Sequence, residues 1–221
     1  MNKEDLRKLL IKETNLNKFS YETLKGLFRD IRKTCDIHPP MKGRKLYELP
    51  TTEELVSFYN VVPPEHKIIF KTLEGTGLRV AEFCNLQTVN IDWANNTIFI
   101  KNGKGGVDRK IVLGNRLKEL LQAYLVGRDN KYLFESNRHT KYTPRRIQQL
   151  IEKYRELGGI TKKFTVHTFR HMHYSFLAEK KISKEYRAML AGHNDDKTQD
   201  IYTHLGIGGI KEELIKILDM L

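Results

Sequence analysis

The spacing of apolar residues constrains this chain more than any other feature. It follows a helical period through most of the sequence, as in Leu6, Leu9 and Leu10 near the N-terminus. The stretch from Asn90 to Leu113 instead alternates apolar and polar residues on either side of two turn sequences. We therefore predict a mainly α fold with a small three-stranded antiparallel sheet, which is an α+β architecture.

Changes in these patterns divide the chain into four segments. Residues 1–36 predict a short helical region, and residues 37–50 predict a basic linker because Pro39-Pro40 stops any helix. Residues 51–205 open with a capping-box sequence and contain most of the helical patterns and the sheet, so we expect one larger domain there. Residues 206–221 predict a glycine-rich tether and a terminal helix. That helix is expected to pack on its own domain, with exchange between neighbouring subunits as the alternative.

The charge balance indicates a polyanionic partner. Lys and Arg number 39 against 27 Asp and Glu, which gives a formal net charge of +12. Nucleic acid fits this better than a membrane, because the chain has no long apolar run. The N-terminus lacks the features of a signal peptide, so we expect a cytoplasmic protein. Cys35 and Cys84 are far apart and suggest neither a disulfide framework nor a zinc site.

Several basic pairs and clusters are candidates for contacts with DNA phosphates. A solvated basic surface is the alternative for each of them. They lie in the linker, at the start of a predicted helix and just before residue 166, and comprise Lys42, Arg44, Lys45, Arg145, Arg146, Lys162 and Lys163.

The stretch from residue 166 to residue 204 combines residue types that suit phosphate chemistry. His167 and Arg170 are three positions apart and therefore share a face of a helix. His193 and Tyr202 follow within the same stretch. An arginine can hold phosphate oxygens, a tyrosine can attack phosphorus, and imidazoles can move protons. This combination predicts attack of an aromatic hydroxyl on a phosphodiester.

Five short motifs occur in an order that resembles the tyrosine recombinase (phage integrase) family, in particular the Xer-type recombinases and small integrases. The resemblance covers about residues 50 to 205. By this resemblance, Arg79 comes from the motif TGLRVAEF, in which Glu82 is its buried support. The other assigned residues are Lys104 in GKGG, His167 and Arg170 in HTFRH, His193 in LAGH and Tyr202 in IYTHL.

The resemblance implies a site-specific DNA recombinase of the kind used by mobile genetic elements for integration or excision. Tyr202 would attack the DNA backbone and form a 3′-phosphotyrosyl intermediate, without ATP, metal or another cofactor. Arg79 and Arg170 would hold the non-bridging oxygens, and His167 would take the tyrosine proton. Lys104 would protonate the leaving 5′-oxygen and His193 would hydrogen-bond the phosphate. The implied assembly is a homotetramer on double-stranded DNA.

The sequence leaves three alternatives to compare with this interpretation. A type IB topoisomerase would share the chemistry but relax DNA as a monomer, and a non-catalytic regulator would bind DNA without cutting it. His171-Met172-His173 resembles the metal motif of HUH nucleases, which belongs on a strand, whereas the apolar residues around it have helical spacing. We expect His171 to hydrogen-bond inside the core as a supporting residue.

The N-terminal region departs from the family pattern. Family members commonly place a larger helical domain before the catalytic domain, and the two together clamp the duplex. Only about fifty residues precede Thr51. We therefore expect a DNA clamp that is partial, completed by a partner, or lost.

Overall fold

The computed structural model describes residues 1–38, 48–101, 108–192 and 209–221, within two compact units, Met1–Tyr47 and Glu48–Leu221. The first unit contains helices α1 (Lys3–Asn17) and α2 (Tyr21–Thr34). The hydroxyl of Ser20 caps α2 by accepting the backbone N–H of Thr23 at 3.1 Å. Neither helix contains a buried residue.

The described part of the second unit contains eight further α-helices, one short 3₁₀ helix and three strands. The fold class predicted from the sequence, mainly α with one small antiparallel sheet, is therefore confirmed. The elements are α3 (Thr52–Val61), α4 (Pro64–Thr76), α5 (Val80–Asn85), the 3₁₀ helix (Thr88–Asn90), β1 (Ile91–Asp92), β2 (Thr97–Ile100), β3 (Arg109–Val112), α6 (Asn115–Leu125), α7 (Pro144–Leu157), α8 (Val166–Glu179), α9 (Lys184–Ala191) and α10 (Lys211–Leu218).

The sheet has the strand order β1-β2-β3, and both neighbouring pairs are antiparallel. Ile98 lies opposite Ile91 on one side and Ile111 on the other, and all three are buried. Lys110 faces solvent, as alternation along a strand requires. The turn between β2 and β3 was predicted at residues 102–108, of which 102–107 lie outside the described residues.

Helix α4 leads directly to the residues that form the site. Pro64 occupies its first turn, and Gly77 ends it in the left-handed conformation with φ of 58°. Gly75 has the residue type that often ends a helix, but it lies inside this one. A Cβ on Gly75 would lie 2.7 Å from Cδ2 of Leu117 in α6. Glycine at this position therefore allows α4 and α6 to approach closely.

Asn115 has the residue type of a helix cap, but it is the first residue of α6 itself. Gly114 occupies the cap position and makes no side-chain cap. Asp219, which follows α10, instead accepts the backbone N–H of Arg116 at 2.9 Å and the side-chain amide of Asn115 at 3.0 Å. A carboxylate at a helix N-terminus also interacts favourably with the helix dipole. The end of the chain therefore supplies the cap of a helix near its middle.

Two groups of buried residues hold the second unit together. Phe58, Phe70, Phe164 and Phe169 form an aromatic centre between α3, α4 and α8, with contacting ring centroids 5.0 to 5.9 Å apart. The second group joins α10 to β3, α8 and α9 through Val112, Leu177, Ile182, Leu190, Leu214, Ile217 and Leu218. Helix α10 thus packs on the core of its own chain, the first of the two expectations. Among the described helices, none has the length and apolar character needed to cross a membrane.

Candidate functional site: an arginine cluster at the end of α9

The tight turn after α4 places Arg79 at the N-cap of α5. Glu82, one turn into α5, accepts the backbone N–H of Arg79 at 2.9 Å and its Nη1 at 3.0 Å. The carboxylate therefore caps the helix and fixes the guanidinium at the same time. A Cβ on Gly77 would lie 2.5 Å from the ring of His173, so glycine is needed for this turn to pass so close to α8.

A second arginine, which the sequence analysis did not identify, binds the same carboxylate. Arg109 begins β3 and points to the buried side of the sheet opposite Ile100. Its Nη1 and Nη2 donate to the two oxygens of Glu82 at 2.9 and 2.8 Å, and its Nε donates to the carbonyl of Leu190 at 3.0 Å. The available signal was a charged residue at an inward position of a predicted strand, because such a residue needs a buried partner.

The ionisation of Glu82 follows from these contacts. Burial raises the pKa of this carboxyl, but hydrogen bonds from Arg109 and Arg79, together with the positive charge of Arg109, outweigh it and lower the pKa to about 2. Glu82 is therefore a carboxylate at neutral pH. It neutralises one of the positive charges that surround it.

Arg170 approaches the same place from α8. Its Nη1 donates to the carbonyl of Gly77 at 2.6 Å and its Nη2 donates to the carbonyl of Ala191 at 2.8 Å. The guanidinium also lies 5.0 Å from the centre of the Tyr174 ring, a favourable cation–π geometry. Burial lowers the pKa of Arg170, and the nearby charge of Arg79 acts in the same direction. An arginine nevertheless keeps its charge in a protein.

The three arginines meet at the C-terminal end of α9. Arg109, Arg170 and Arg79 donate to three successive carbonyls, those of Leu190, Ala191 and Gly192, at 3.0, 2.8 and 3.0 Å. The last carbonyls of a helix lack partners within the helix and carry partial negative charge, so they attract guanidinium groups. We call Arg79, Glu82, Arg109 and Arg170 the arginine cluster. Three guanidinium groups and one carboxylate leave it with two positive charges in excess.

The arginines of the cluster differ in the donors that remain. A guanidinium has five N–H groups. Arg79 and Arg170 each use two nitrogens in the contacts above, whereas Arg109 uses all three of its nitrogens. The Arg109 side chain is also only 4% exposed, against 22% for Arg79. Arg79 and Arg170 are therefore the members of the cluster that can offer several N–H groups to an external anion.

A cleft of 540 Å³ opens beside Arg79. It runs between α5 and the end of β2, and its lining residues include Asn85, Gln87 and Lys101. Lys101 directly precedes the segment of residues 102–107 that contains Lys104. The exposed side of Arg79 thus faces a space that is large enough for part of an extended ligand.

Helix α8 presents its histidines on two different sides. His167 and His171 are exposed, whereas His173 is 2% exposed. The expectation that His171 lies in the core is wrong, because the buried face of α8 follows Phe169, His173 and Leu177 at intervals of four residues. His173 pairs through Nδ1 with the carbonyl of Glu74 at 2.9 Å. Burial lowers its pKa to about 4, so it is neutral at pH 7.

The same geometry separates the two histidines that resemble a nuclease metal motif. His171 and His173 would share a face only on a strand, and here they lie on a helix with one exposed and the other buried. Within the described ranges, no group of three or more His, Cys, Asp or Glu side chains is arranged to hold a metal ion.

The predicted DNA-contact residues lie in different surroundings. Arg145 and Arg146 are exposed in the first turn of α7, and Lys163 is also exposed. Lys162 forms an ion pair with Glu54 at 3.1 Å. The other predicted site residues lie outside the described residues, and they are Lys42, Arg44, Lys45, Lys104, His193 and Tyr202.

Comparisons with known proteins agree on one family. A sequence model described as "Phage integrase family" matches residues 45–206. The chain is 31% identical over 201 residues to the tyrosine recombinase XerA of Thermococcus onnurineus, a match that covers 87% of this chain and 70% of the relative. The crystal structure of a XerA recombinase superposes with a TM-score of 0.62 at 25% identity and covers 96% of this chain and 82% of that one.

A solved complex shows the same fold with DNA bound. The Tn1549 transposon integrase in complex with transposon right end DNA superposes with a TM-score of 0.59. The match covers 92% of this chain and 82% of the integrase. At 19% identity this likeness establishes a shared fold.

Proposed function

This chain belongs to the phage integrase family and is a tyrosine recombinase, and we propose that it exchanges strands of double-stranded DNA through a covalent bond to Tyr202. The observation that carries the proposal is the arginine cluster. The cluster has two excess positive charges, and Arg79 and Arg170 keep N–H donors beyond those that the contacts above use. These features suit a phosphodiester, because its negative charge rises from one toward two as phosphorus becomes pentacoordinate.

The proposed cleavage step has a simple balance of bonds and protons. The Tyr202 oxygen forms a bond to phosphorus, and the bond from phosphorus to the 5′-oxygen breaks. A phenol has a pKa of about 10, so the attacking oxygen needs a base, and His167 is our candidate. Lys104 donates a proton to the departing 5′-oxygen, while His193 hydrogen-bonds the phosphate. The strand remains attached as a 3′-phosphotyrosyl ester.

The rejoining step reverses these events with a different strand. A 5′-hydroxyl loses its proton to Lys104 and forms a bond to phosphorus, while the bond from phosphorus to the Tyr202 oxygen breaks and His167 returns a proton to that oxygen. One phosphoester bond replaces another, so the bond energy is conserved. The proposal therefore requires neither ATP nor a metal ion. This chemistry belongs to residues 51–205, which we propose as the catalytic domain, after an N-terminal helical region and a basic linker.

Duplex DNA is the proposed substrate and a homotetramer is the proposed assembly. The DNA bound to the Tn1549 integrase supports the choice of substrate. Exposed basic residues, including Arg145, Arg146 and Lys163, together with the linker residues Lys42, Arg44 and Lys45, are proposed to contact its phosphates. We propose a cytoplasmic location for the reaction. Helix α10 packs on the core of its own chain in this structure, and we propose that in the assembly it occupies the same place on a neighbouring subunit.

Covalent trapping tests this function. Duplexes with a random central sequence and a single nick are incubated with the protein, so that a short fragment diffuses away after cleavage and prevents religation. We expect a protein–DNA adduct that survives denaturation and is unaffected by EDTA. Tyr202→Phe should bind the duplexes and form no adduct, whereas Tyr21→Phe, an exposed tyrosine of α2, should behave as the wild type.

Each contrary outcome identifies a different error. An adduct formed by Tyr202→Phe contradicts the assignment of the nucleophile. Cleavage that disappears with EDTA indicates a metal-dependent nuclease. Binding without any adduct in the wild type indicates a regulator, and relaxation of supercoiled DNA by a monomer without strand exchange indicates a type IB topoisomerase.

A further inference from the structure

We infer that Arg109 is a positioning residue for strand transfer, which holds Glu82 and the end of α9 so that Arg79 meets the phosphate in a fixed orientation. The inference rests on the proposed function of Arg79. Its basis is the contact of Arg109 with Glu82 and with the carbonyl of Leu190.

Arg109 joins three segments that are distant in sequence. It is the first residue of β3 and follows by sequence the segment of residues 102–107, which contains Lys104. Its Nη atoms bind α5 through Glu82, and its Nε binds the carbonyl of Leu190 near the end of α9. His193 follows that end by sequence. One buried guanidinium therefore connects the strand, the helix of Arg79 and the helix that precedes His193.

The contacts of Glu82 explain how Arg109 acts on Arg79. Each carboxylate oxygen accepts one hydrogen bond from Arg79 and one from Arg109, at 2.8 to 3.0 Å. The carboxylate is therefore held against rotation. Without Arg109, the full negative charge of Glu82 would act on Arg79 alone and draw its guanidinium into a two-pronged pair. That movement would compete with the contact of Arg79 to the Gly192 carbonyl and with phosphate binding.

The burial of Arg109 separates this role from direct contact with DNA. Its side chain is 4% exposed and all three of its nitrogens donate within the protein. Lysine would preserve the charge but could not reproduce the planar fork toward Glu82 together with the Nε contact. Arg109→Lys is therefore a test of geometry with the charge of the cluster unchanged.

Gly192 gives independent access to the same contact. Its φ of 62° favours glycine, and an added Cβ would lie 3.1 Å from Nη1 and 3.3 Å from Cδ of Arg109. Gly192→Ala would therefore press on the guanidinium from the side of α9 without removing any charged group from the cluster.

The experiment measures the single-turnover rate of adduct formation. Its substrate is a nicked duplex whose sequence was recovered by the covalent trapping described above. We expect Arg109→Lys to lower the rate of adduct formation about 10²-fold, because a misplacement of roughly 1 Å in a catalytic group has an effect of this size. The affinity for DNA should change by less than about threefold. Arg155→Lys is the matched control, because Arg155 also donates to a carboxylate and a backbone carbonyl. Its rate should equal that of the wild type.

A double variant distinguishes positioning from a general structural role. If Arg109 acts through Arg79, adding Arg109→Lys to Arg79→Lys should lower the rate by less than about threefold further. Multiplied effects, or a wild-type rate for Arg109→Lys, overturn the inference and leave the proposed function intact. A wild type that forms no adduct overturns the proposed function, and the inference with it.

The stability of the variants is measured alongside the rates. If Arg109→Lys does not fold, as judged by its thermal unfolding, Gly192→Ala decides the question. We expect folded Gly192→Ala to lose rate about 10-fold or more while binding DNA normally. A wild-type rate in folded Gly192→Ala overturns the inference.

Discussion

Two arginine networks in this protein use the same kinds of contact for different ends. The arginine cluster places three guanidinium groups around one carboxylate, Glu82, which is 9% exposed. Arg155 on α7 instead contacts two carboxylates, Glu152 at 2.7 Å and Glu156 at 3.5 Å, which are 48% and 66% exposed. Arg155 also donates to the carbonyl of Ile160. The first network has excess positive charge in a buried setting, and the second has none.

This difference shows which network is built to bind something. Buried charge is costly unless it is neutralised, so a cluster with two positive charges in excess gains stability when an anion enters. The lowered pKa of Arg170 reflects this cost, since burial and neighbouring positive charge both disfavour its charged form. The Arg155 network is already compensated, and exposed pairs of this kind contribute little. Excess charge, rather than the presence of arginine, marks the site.

The largest expected effect is on catalysis. Arg170→Ala should lower the single-turnover rate of adduct formation about 10² to 10³-fold, because it removes one preorganised donor to the phosphate. Arg155→Ala should change the same rate by less than about twofold. Equal effects of the two variants would show that the cluster has no special role.

Acid should destabilise the region next to the cluster through His173. Burial lowers the pKa of His173 from its ordinary 6.5 to about 4. Between pH 4 and pH 6.5 the unfolded chain therefore binds more protons at this histidine than the folded chain does. The contribution of His173 to the free energy of unfolding is complete above pH 6.5 and is lost as the pH falls to 4. The expected loss is about 3 kcal/mol of unfolding free energy.

His173→Gln is the variant that isolates this contribution. Urea titrations at several pH values should show a smaller fall in unfolding free energy between pH 6.5 and 4 than in the wild type. Val126→Ala, a change at an exposed residue without a titratable side chain, should keep the wild-type slope. If His173→Gln also keeps that slope, His173 is not the group responsible.

Oxyanion binding should distinguish the two networks directly. Sulfate at about ten times its dissociation constant should stabilise the wild type by about 1.4 kcal/mol. Sulfate also stabilises proteins by exclusion from their surfaces, so the informative quantity is the difference between variants in thermal unfolding. Arg155→Ala should retain the extra stabilisation and Arg170→Ala should lose it. Retention by both variants would place the anion elsewhere.

The smallest expected effect is on stability at the Arg155 network. Arg155→Gln should lower the free energy of unfolding by about 1 kcal/mol, from the lost hydrogen bond to Ile160 and the exposed ion pairs. Urea unfolding at neutral pH measures it. A loss of several kcal/mol would mean that this network is more than an exposed pair.

Local sequence patterns were sufficient for most of the fold and part of the site. The capping box that opens the larger domain forms at Thr51 as predicted, and Thr143 caps α7 in the same local way, because a cap involves residues within one turn of a helix. The three strands lie within the stretch where the apolar period changes to two. The placement of Arg79 beside Glu82 also needs only three residues of separation.

The errors arose where burial depends on neighbouring elements. Helical spacing placed His171 and His173 on different sides of α8, but it did not indicate which side faces α4. The contact of His173 with the Glu74 carbonyl decides this, and it joins residues 99 positions apart. Asn115 likewise had the composition of a cap, yet the cap comes from Asp219.

The sequence by itself determined the family, the fold class and the residue types of the chemistry, because motif and period are properties of neighbouring residues. The tertiary structure alone decided that Arg109 shares Glu82 with Arg79 and that three arginines meet the end of α9. The Arg109 contact to Leu190 joins residues 81 positions apart, and the Arg79 contact to Gly192 joins residues 113 apart. Such contacts form only after the helices and strands have packed, since their geometry is set by the core that brings those elements together.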